Sequence, residues 1–485
     1  MKKVLLFGTW LLTGMLLLSS CNEGRIIYLE PAPVIQWDNP DGSYSLKVGT
    51  SLVLSPIVLY DTDAQYQWLM DGQTVGTYKT YEFRAVEPGT FGLTFRVIRE
   101  NVSVERPVTL HVFDKTPPVI FLAVPADGFT VATGDTLLLN PAIEQEENTR
   151  LLWEIDGQEA GRERTCIFYK ETAGTYIVSL LAENEDGSDE LLFAVHVINS
   201  EDIPPEEDPD TDPPSDKYFR PADPQSAADW SEIFDYTPAP GQFINDKDMA
   251  GFSGENTPEK AIQYAQKRLK EGSFVSLGAY GGYLVAGFDH SVVNDGEYNL
   301  LIAGNAHENS AEPGIVWVMQ DSNGNGLPDD TWYQLKGSEH GSSSTLYEYS
   351  VTYFKPREPG KPVYWTDNKG NQGSVDYLGM FHAQDSYYPQ WISADSYTLT
   401  GTRLESRSYL QSNGTWMSPP FDWGYVDNSD QSLFRISDAV TADGQPIRLD
   451  FIDFVKVQTA VNAKAGWLGE ISTEVTKICD YNLLK

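Results

Sequence analysis

The segment from Val318 to Tyr333, VMQDSNGNGLPDDTWY, places oxygen-bearing side chains around two glycines. Calcium binds six to eight oxygen atoms, and alternate side chains on a tight loop can converge on one ion. The segment matches positions 1, 3, 5, 6 and 9 of a calcium loop with Asp321, Asn323, Asn325, Gly326 and Asp329. The spacing therefore predicts a structural calcium loop.

The second half of this loop departs from the calcium pattern. Leu327 at position 7 can offer its backbone carbonyl, but position 12 is Trp332 instead of a bidentate Glu. Asp330, or a distant carboxylate such as Glu339, would have to complete the set of ligands. An Asx-rich turn without an ion is therefore the alternative.

Signatures of catalysis are absent from the sequence. It contains no HExxH, no GxSxG, no Walker loop and no paired CxxC. With 70 Asp and Glu residues, carboxylate pairs carry little information, so a glycosidase has no specific support. We therefore expect a protein that is not an enzyme.

Aromatic residues are concentrated in two turn-rich segments, DSYYPQW and SNGTWMSPPFDWGYVDN. Aromatic rings beside Pro, Gly and Asn are often displayed on loops, where they bind planar or amphipathic ligands. Rings under long loops can instead form small satellite cores. The candidate ligand-binding residues are Tyr387, Tyr388, Trp391, Trp416, Phe421, Trp423 and Tyr425.

Two further residues are separate candidates for ligand or metal contact. His307 lies in the loop segment GNAHENSAEPG, where its imidazole could face a ligand or simply be exposed to solvent. Glu470 lies in the C-terminal segment GWLGEISTEV and is a candidate for an extra oxygen ligand.

An internal repeat organises the N-terminal part of the chain. YQWLMDGQTVG recurs as LLWEIDGQEAG, and Trp68 and Trp153 are separated by the same 85 residues as His111 and His196. Such a period predicts two copies of one domain, at 32–114 and 115–198. Short alternating runs between DG, EPG and TAG turns predict antiparallel sandwiches with the tryptophans in their cores and the histidines in structural positions.

The rest of the chain divides into a linker and a larger domain. Residues 199–216 are rich in Pro and acid and predict an extended linker. The pattern of residues 217–485 predicts many β-strands and one helix, which is capped by Thr257 at its start and followed by Gly272. We expect a mainly β chain that ends in a jelly-roll-like sandwich with one or a few helices.

The N-terminus and the charge limit the location and the partners. Residues 1–20 have the basic start and apolar run of a signal peptide, and LSSC resembles the lipobox of bacterial lipoproteins, so Cys21 would be lipidated and 21–31 would form a tether. A net charge of −36 excludes nucleic acid as a favoured partner. Cys166 and Cys479 are predicted to be buried free thiols.

Several motifs together carry a family resemblance. The repeats, through QWLMDG and LWEIDG, resemble PKD-like modules of bacterial surface proteins. The segments GGYLVAGFDHSVVNDGEYNLLIAGNAHENSAEPGIVWVMQDSNGNGLPDDTWY, DWGYVDN and DFVKVQTAVNAKAGWLGEISTEV resemble the C-terminal domain of Bacteroidetes surface lipoproteins. The whole chain thus resembles the BtuH class of surface cobalamin-trafficking lipoproteins.

This resemblance implies a function. The C-terminal domain would bind cobalamin (vitamin B12) or a related corrinoid, the PKD-like modules would form a stalk, and a TonB-dependent outer-membrane transporter would receive the ligand. The location would be the outer membrane, exposed at the cell surface. A glycan-binding or adhesion lipoprotein is the alternative. The resemblance transfers no ligand-contact motif, so the candidate residues depend on loop chemistry alone.

Overall fold

The structure is a computed structural model that describes residues 31–39, 41–199, 216–307, 309–428 and 433–485. The predicted signal peptide, Cys21 and the tether up to residue 30 lie outside these residues, as does 200–215 of the predicted linker. In the part of the chain that is described, no helix has the length and apolar character needed to cross a membrane.

The chain forms two compact units, of which one ends at Thr116 and the other begins at Pro117. The first contains one small β-sandwich. Its strands are β1 (Val34–Gln36), β2 (Ser43–Lys47), β3 (Ser51–Leu54), β4 (Ile57–Leu59), β5 (Gln65–Met70), β6 (Gln73–Gly76), β7 (Tyr81–Arg84), β8 (Gly89–Arg99) and β9 (Val102–Phe113). They form a five-stranded sheet in the order β2-β9-β8-β5-β6, with the pairs β1-β4 and β3-β7 alongside.

The second unit begins with a sandwich of the same topology. Its strands are β10 (Val119–Phe121), β11 (Phe129–Ala132), β12 (Thr136–Leu139), β13 (Ala142–Glu144), β14 (Arg150–Ile155), β15 (Gln158–Gly161), β16 (Cys166–Tyr169), β17 (Gly174–Asn184) and β18 (Gly187–Ile198). The sheet order β11-β18-β17-β14-β15 and the pairs β10-β13 and β12-β16 repeat those of the first sandwich strand for strand.

The repeated residues occupy equivalent places in the two sandwiches. Trp68 and Trp153 are fully buried, and each indole N–H donates to a carbonyl ten residues further on, at 3.1 and 3.0 Å. The turns after β5 and β14 begin with Asp71 and Asp156, both at φ 50° and both followed by glycine, as two-residue hairpins require. The prediction of core tryptophans is confirmed.

The two repeated histidines have structural partners. His111 lies 3.2 Å from the hydroxyl of Thr90, and His196 lies 2.9 Å from that of Thr175 on the neighbouring strand. In both pairs the histidine uses its ring nitrogen Nδ1 to contact a threonine hydroxyl on the adjacent antiparallel strand. The prediction that both histidines are structural agrees with these contacts.

The C-terminal domain is built mainly of antiparallel strands. They are β19 (Glu232–Thr237), β20 (Val275–Ser276), β21 (Tyr283–Val293), β22 (Leu300–Ala303), β23 (Gly314–Met319), β24 (Tyr333–Leu335), β25 (Leu346–Phe354), β26 (Val363–Asp367), β27 (Gln372–Val375), β28 (Ser396–Arg403), β29 (Tyr409–Leu410), β30 (Trp416–Met417), β31 (Leu433–Phe434), β32 (Ala439–Val440), β33 (Phe451–Thr459), β34 (Glu474–Val475) and β35 (Lys477–Asp480). Short 3-10 turns lie at Asp216–Tyr218, Ile436–Asp438, Gly466–Leu468 and Tyr481–Leu484, and the second sandwich has one at Glu146–Asn148. The prediction of a mainly β chain is confirmed.

A six-stranded sheet in the order β19-β21-β33-β23-β24-β32 forms the centre of this domain. The late strand β33 is inserted between β21 and β23, so the sheet is complete only when the C-terminal part of the chain has returned. A four-stranded sheet, β27-β26-β25-β28, and a three-stranded one, β31-β22-β35, accompany it. Loops that connect these sheets therefore bring distant segments together.

The helix α1 (Pro258–Lys270) packs against the central sheet. Thr257 caps its start by accepting a hydrogen bond from the Lys260 amide, and Gly272 follows its end at φ 67°. The buried face consists of Ala261, Tyr264, Ala265 and Leu269, with Ile262 partly buried. The single helix and its caps were predicted correctly.

The second sandwich contacts the C-terminal domain directly. Arg164 donates to the carbonyl of Gly370, and the Gln372 side chain accepts from the Ile143 amide at 2.8 Å. Phe121 packs on Phe354, with ring centroids 5.8 Å apart. These two domains are therefore in contact although the predicted linker separates them in the sequence.

The two cysteines that lie within the described residues are unpaired. Cys166 is buried in the second sandwich, and Cys479 is buried on β35 of the C-terminal domain. The prediction of two buried free thiols is confirmed.

Candidate functional site

A cleft of about 270 Å³ opens in the C-terminal domain where four loop segments meet. It brings together three residues that the sequence analysis selected separately, His307, Trp416 and Glu470. Gln242 and Phe243, from the loop after β19, line it as well. The cleft is therefore built from segments far apart in the sequence.

Backbone pairing between two loops fixes one wall. Ser310 makes a β-bridge to His307 and a second one to Ser418, directly after β30. Trp416 begins β30 and pairs with Leu410 on β29. A Cβ atom at Gly466 would lie 2.5 Å from the indole nitrogen of Trp416, so only glycine allows the indole to lie this close to the Gly466–Leu468 turn.

The floor of the cleft is acidic. One carboxylate oxygen from each of Glu312, Asp427 and Glu474 lies within 4.8 Å of the others. Asp427 and Glu474 are buried and Glu312 is partly buried. Glu312, Glu470 and Glu474 line the cleft itself, and Asp427 lies next to Glu312 and Glu474 without lining it, so four carboxyl groups belong to this one region.

Asp427 is held by backbone amides on both oxygens. Its Oδ1 accepts from the Asn305 amide at 2.7 Å, and its Oδ2 accepts from the Glu474 amide at 2.9 Å. Gly304 makes room for this contact, because a Cβ atom there would lie 2.2 Å from Oδ1. The aspartate itself has φ 56°, a left-handed conformation that Asp tolerates better than most residues.

Glu312 and Glu474 share Ser472 as a partner. The Ser472 amide donates to Glu312 Oε1 at 3.1 Å, and its hydroxyl donates to Glu474 Oε1 at 2.9 Å. The Ser276 hydroxyl lies 2.7 Å from that of Ser472 and extends the network into β20. These bonds hold the two carboxyl groups in place and leave further lone pairs free.

Only one of the two carboxylate oxygens of Glu470 has a hydrogen-bond partner within the described residues. Its Oε1 accepts from the Gln242 amide at 2.7 Å, whereas its Oε2 is buried and has no hydrogen-bond partner. Gln242 is held in turn by the Leu468 carbonyl, to which it donates at 2.8 Å. A buried carboxylate oxygen without a donor costs free energy, so a proton, an ion or a ligand is needed there.

Burial raises the pKa of every carboxyl group on this floor. The pKa of Glu312 is raised to about 8 by burial and by the nearby Asp427, and that of Asp427 to about 7 by burial. The pKa of Glu470 is raised to about 7 by burial. Burial and then Glu312 raise the pKa of Glu474 well above its ordinary value. At neutral pH these groups therefore hold protons or require a positive charge beside them.

The predicted aromatic candidates in DSYYPQW are core residues. Tyr387 and Tyr388 are 1% and 2% exposed, and their hydroxyls donate to the carbonyls of His382 and Ala394. Trp391 is buried against Tyr236, with ring centroids 5.6 Å apart. The expectation that these rings are displayed on a loop is wrong, because the turn-rich segment folds inward and buries all three of them. Backbone carbonyls satisfy the two tyrosine hydroxyls, whereas the buried indole N–H of Trp391 has no hydrogen-bond partner in the part of the chain that is described.

The second aromatic segment divides between a core and two clefts. Phe421 and Tyr425 are buried together, with ring centroids 5.2 Å apart, in a small core that partly buries Trp416 as well. Their predicted display is therefore also wrong. Trp423 is 48% exposed but lines a different cleft, beside Arg435 and Lys336. Only Trp416 and His307 among the predicted ligand-binding residues line the acidic cleft.

The predicted calcium loop forms a network of its own hydrogen bonds. Both carboxylate oxygens of Asp321 accept hydrogen bonds from backbone amides of the loop. Oδ1 accepts from Gly324 at 2.6 Å and from Asn325 at 3.2 Å, and Oδ2 accepts from Gly326 at 2.9 Å. The Leu327 amide donates to the Asn325 side chain at 2.7 Å. These contacts belong to an Asx-rich turn and also orient oxygen atoms, so both alternatives stay open.

The remaining loop carboxylates accept from side chains of the loop, and Asp330 also accepts from the Ser322 amide at 3.0 Å. Asn323 donates to Asp329 at 3.1 Å and to Asp330 at 3.3 Å. Glu339, which was considered as a distant ligand, instead pairs with Arg407 at 2.9 Å. The only group of three or more acidic, His or Cys ligand atoms found close together in the described residues is the floor of the cleft.

No motif in the sequence marks Glu312, Asp427 or Glu474 as site residues. They lie in the segments AEPG, YVDN and STEV, and each is one of 70 acidic residues. The weak signal available was an acidic residue beside apolar residues that become buried. Nothing in a single sequence indicates that these three segments meet.

Comparisons with known proteins concern the N-terminal part. A family model described as a PKD-like domain matches residues 32–99 and 117–184. No curated protein matches the sequence. Similar solved structures include the Clostridium thermocellum CbhA fibronectin(III)-like modules, at 14% identity over 36% of this chain and 100% of that chain, with a TM-score of 0.21. The I-band fragment I67-I69 from titin has 14% identity over 34% of this chain and 66% of that chain, with a TM-score of 0.24.

The chain therefore contains two PKD-like domains of immunoglobulin-like architecture, followed by a mainly β domain that holds the acidic cleft.

Proposed function

We propose that the protein is a cell-surface lipoprotein that binds cobalamin or a related corrinoid through its C-terminal domain. In this proposal Cys21 carries the lipid anchor in the outer membrane, and the two PKD-like domains act as a stalk. The bound corrinoid is passed, without any catalytic step, to a TonB-dependent outer-membrane transporter. The presence of two PKD-like domains supports a surface protein.

The composition of the cleft is the observation that carries the corrinoid proposal. Trp416 and Phe243 supply aromatic surface, while Gln242, Asn305 and Asn309 supply amides. Cobalamin is large and amphipathic and bears many amide groups, so its site should combine these two kinds of residue. His307 could reach the bound ligand from the same wall.

The cleft can enclose only part of so large a ligand, because typical pockets for drug-sized molecules measure roughly 300–1,000 Å³. Exposed apolar side chains extend the surface beyond it. Leu468 lines the cleft and is 42% exposed, and Leu410, which pairs with Trp416, is 54% exposed. They would support the rest of the corrinoid.

Calorimetric titration of residues 22–485 with cyanocobalamin tests this proposal. We expect one-to-one binding that Trp416→Ala weakens about tenfold or more, as for an aromatic residue at the centre of an interface. Trp423→Ala is the matched control, because this tryptophan lies in the same segment but lines another cleft. Its affinity should stay within about twofold of that of the wild type.

A folded protein that gives neither heat nor a change in corrin absorbance would rule out corrinoid binding. If both tryptophan variants lost affinity equally, the acidic cleft would not be the site. Binding on a glycan array in place of the corrinoid would favour the alternative of a glycan-binding or adhesion protein. A carboxyl-rich floor beside a partly exposed indole also suits sugar hydroxyls and ring faces.

Calcium in the Asp321 loop is part of the same proposal, as an ion that fixes loops. Asp329→Asn keeps the shape of an exposed side chain while it removes one loop charge. We expect wild-type protein to melt at a higher temperature in calcium than in chelator, and this variant to lose part of the difference. An unchanged calcium response would favour the Asx-rich turn.

A further inference from the structure

We propose that Glu312, Asp427 and Glu474 form a second site, at the floor of the cleft, for a divalent cation of the calcium class. This inference does not depend on corrinoid binding. It is also independent of the Asp321 loop, which shares no residue with the cluster.

The spacing of the three carboxylates suits one ion. Calcium binds oxygen at about 2.3–2.6 Å, so two ligand atoms on opposite sides of the ion are about 5 Å apart. The cluster offers one oxygen from each residue, all within 4.8 Å of one another. Its donors are carboxylates without sulfur or imidazole, which favours calcium, magnesium or manganese over zinc.

The three residues are held in place before any ion binds. Backbone amides fix both oxygens of Asp427, and Ser472 fixes Glu312 and Glu474. Each carboxylate has about four lone-pair positions, so these bonds leave acceptors free for an ion. The ligands therefore need little ordering when an ion binds, which favours affinity.

Glu470 supplies an independent sign of a missing partner. Its Oε2 is buried without any hydrogen-bond donor, and the residue, which is 4% exposed, lines the same cleft as Glu312 and Glu474. An oxygen in this state indicates that something positive or hydrogen-bonding belongs beside it. Glu470 lies outside the group of three close carboxylates, so a water bound to a cation at the cluster would be its partner.

Two other buried carboxylates of this domain, unlike those of the cluster, have basic partners. Asp453 is fully buried and pairs with Arg220 at 2.9 Å, and Asp480 is buried beside His290 at 2.9 Å. In the described residues, none of the cluster carboxylates forms an ion pair with a basic side chain within 4.0 Å. Buried carboxylates need such compensation, and a bound cation would supply it here.

Calcium titration of chelator-treated residues 22–485 at pH 7.5 tests the proposal. We expect a binding event, separate from any at the Asp321 loop, that persists in Asp329→Asn and is weakened about tenfold or more in Glu312→Gln and in Glu474→Gln. Both Gln variants keep the side-chain volume and remove one ligand charge. Magnesium and manganese titrations, run in parallel, rank the three cations.

Two results would overturn the site. One is calcium binding that both Gln variants retain and Asp329→Asn abolishes, which would assign the ion to the loop alone. The other is a wild type that binds none of the three ions, in which case the cluster holds protons.

A crystal of wild-type protein grown with manganese gives an answer that does not depend on how the variants fold. Anomalous density between the three carboxylates would support the proposal, and its absence at saturating manganese would contradict it.

Discussion

Glu470 and Gln242, 228 positions apart, meet through a hydrogen bond of 2.7 Å from the Gln242 amide to Oε1, while Oε2 of the same carboxyl group has no partner. The bond joins the C-terminal segment to the loop after β19 and so closes one side of the cleft. The unpaired oxygen makes this side chain a sensitive reporter of what the cleft contains.

Replacement of Glu470 by Gln should affect stability and cation binding in opposite directions. In chelator at pH 7.5 we expect the free energy of unfolding to rise by about 1 kcal/mol, because the variant removes a buried charge and keeps an oxygen for the Gln242 amide. Calcium should bind more weakly. Urea unfolding with and without calcium measures both effects, and Glu470→Ala, which also loses the bond to Gln242, should be destabilised in both conditions.

Loss of space beside Asp427 should damage the floor of the cleft. A Cβ atom at residue 304 would lie 2.2 Å from Asp427 Oδ1, so Gly304→Ala should reduce the free energy of unfolding by about 1–3 kcal/mol and weaken cation binding. Gly161→Ala is the control, because nothing lies within 4 Å of its added carbon. Equal midpoints of urea unfolding for the two variants would show that Asp427 can move aside.

Arg164 should couple the second sandwich to the C-terminal domain. It is 17% exposed, lies 3.2 Å from Glu146 and donates to Asn140 and to the carbonyl of Gly370. Because these acceptors lose a charged donor, Arg164→Ala should lower the free energy of unfolding by about 1.5–3 kcal/mol.

Arg162 is the matched control for this prediction. It is exposed, and its ion-pair partner among the described residues is Glu159, three residues away, so Arg162→Ala should change the free energy of unfolding by less than about 1 kcal/mol. Calorimetric scans should show a lower transition temperature for the second sandwich or the C-terminal domain in Arg164→Ala only. Identical scans for the two variants would mean that Arg164 does not contribute to the domain contact.

Both thiols should resist modification in the folded protein. Burial raises the pKa of Cys166, and burial together with the bond to Asp229 raises the pKa of Cys479 to about 12. Since the thiolate is the reactive form, a thiol reagent at pH 8 should label neither residue until denaturant is added. Labelling of the native chain, followed by peptide mass spectrometry, would identify any thiol that is accessible.

Local signals determined the features that the sequence predicted correctly. The 85-residue repeat identified two sandwiches with core tryptophans, because identical turns and alternation recur at fixed spacing. Thr257 and Gly272 marked both ends of α1, because helix caps are set by neighbouring residues. The loop at Asp321 was recognisable for the same reason, since its oxygens lie within ten residues.

Burial in loop segments was decided by tertiary structure. Tyr387, Tyr388 and Trp391 follow turn residues, which indicated a surface loop, yet other segments cover them. Aromatic rings gain free energy wherever apolar surface is available, and a turn-rich sequence does not state what will pack over it. The same composition left Trp416 beside a cleft and Trp423 in another one.

The sequence by itself determined the two repeated domains, the mainly β class, the helix and the buried thiols. Tertiary structure alone decided the site, because Glu312, Asp427 and Glu474 come from three segments that meet only after β33 has been inserted between β21 and β23. Among 70 acidic residues, none of these three carries a local mark of its role. Among the described residues, their distinguishing property is that they lie close together, buried or partly buried, without a basic partner, and this exists only once the chain has folded.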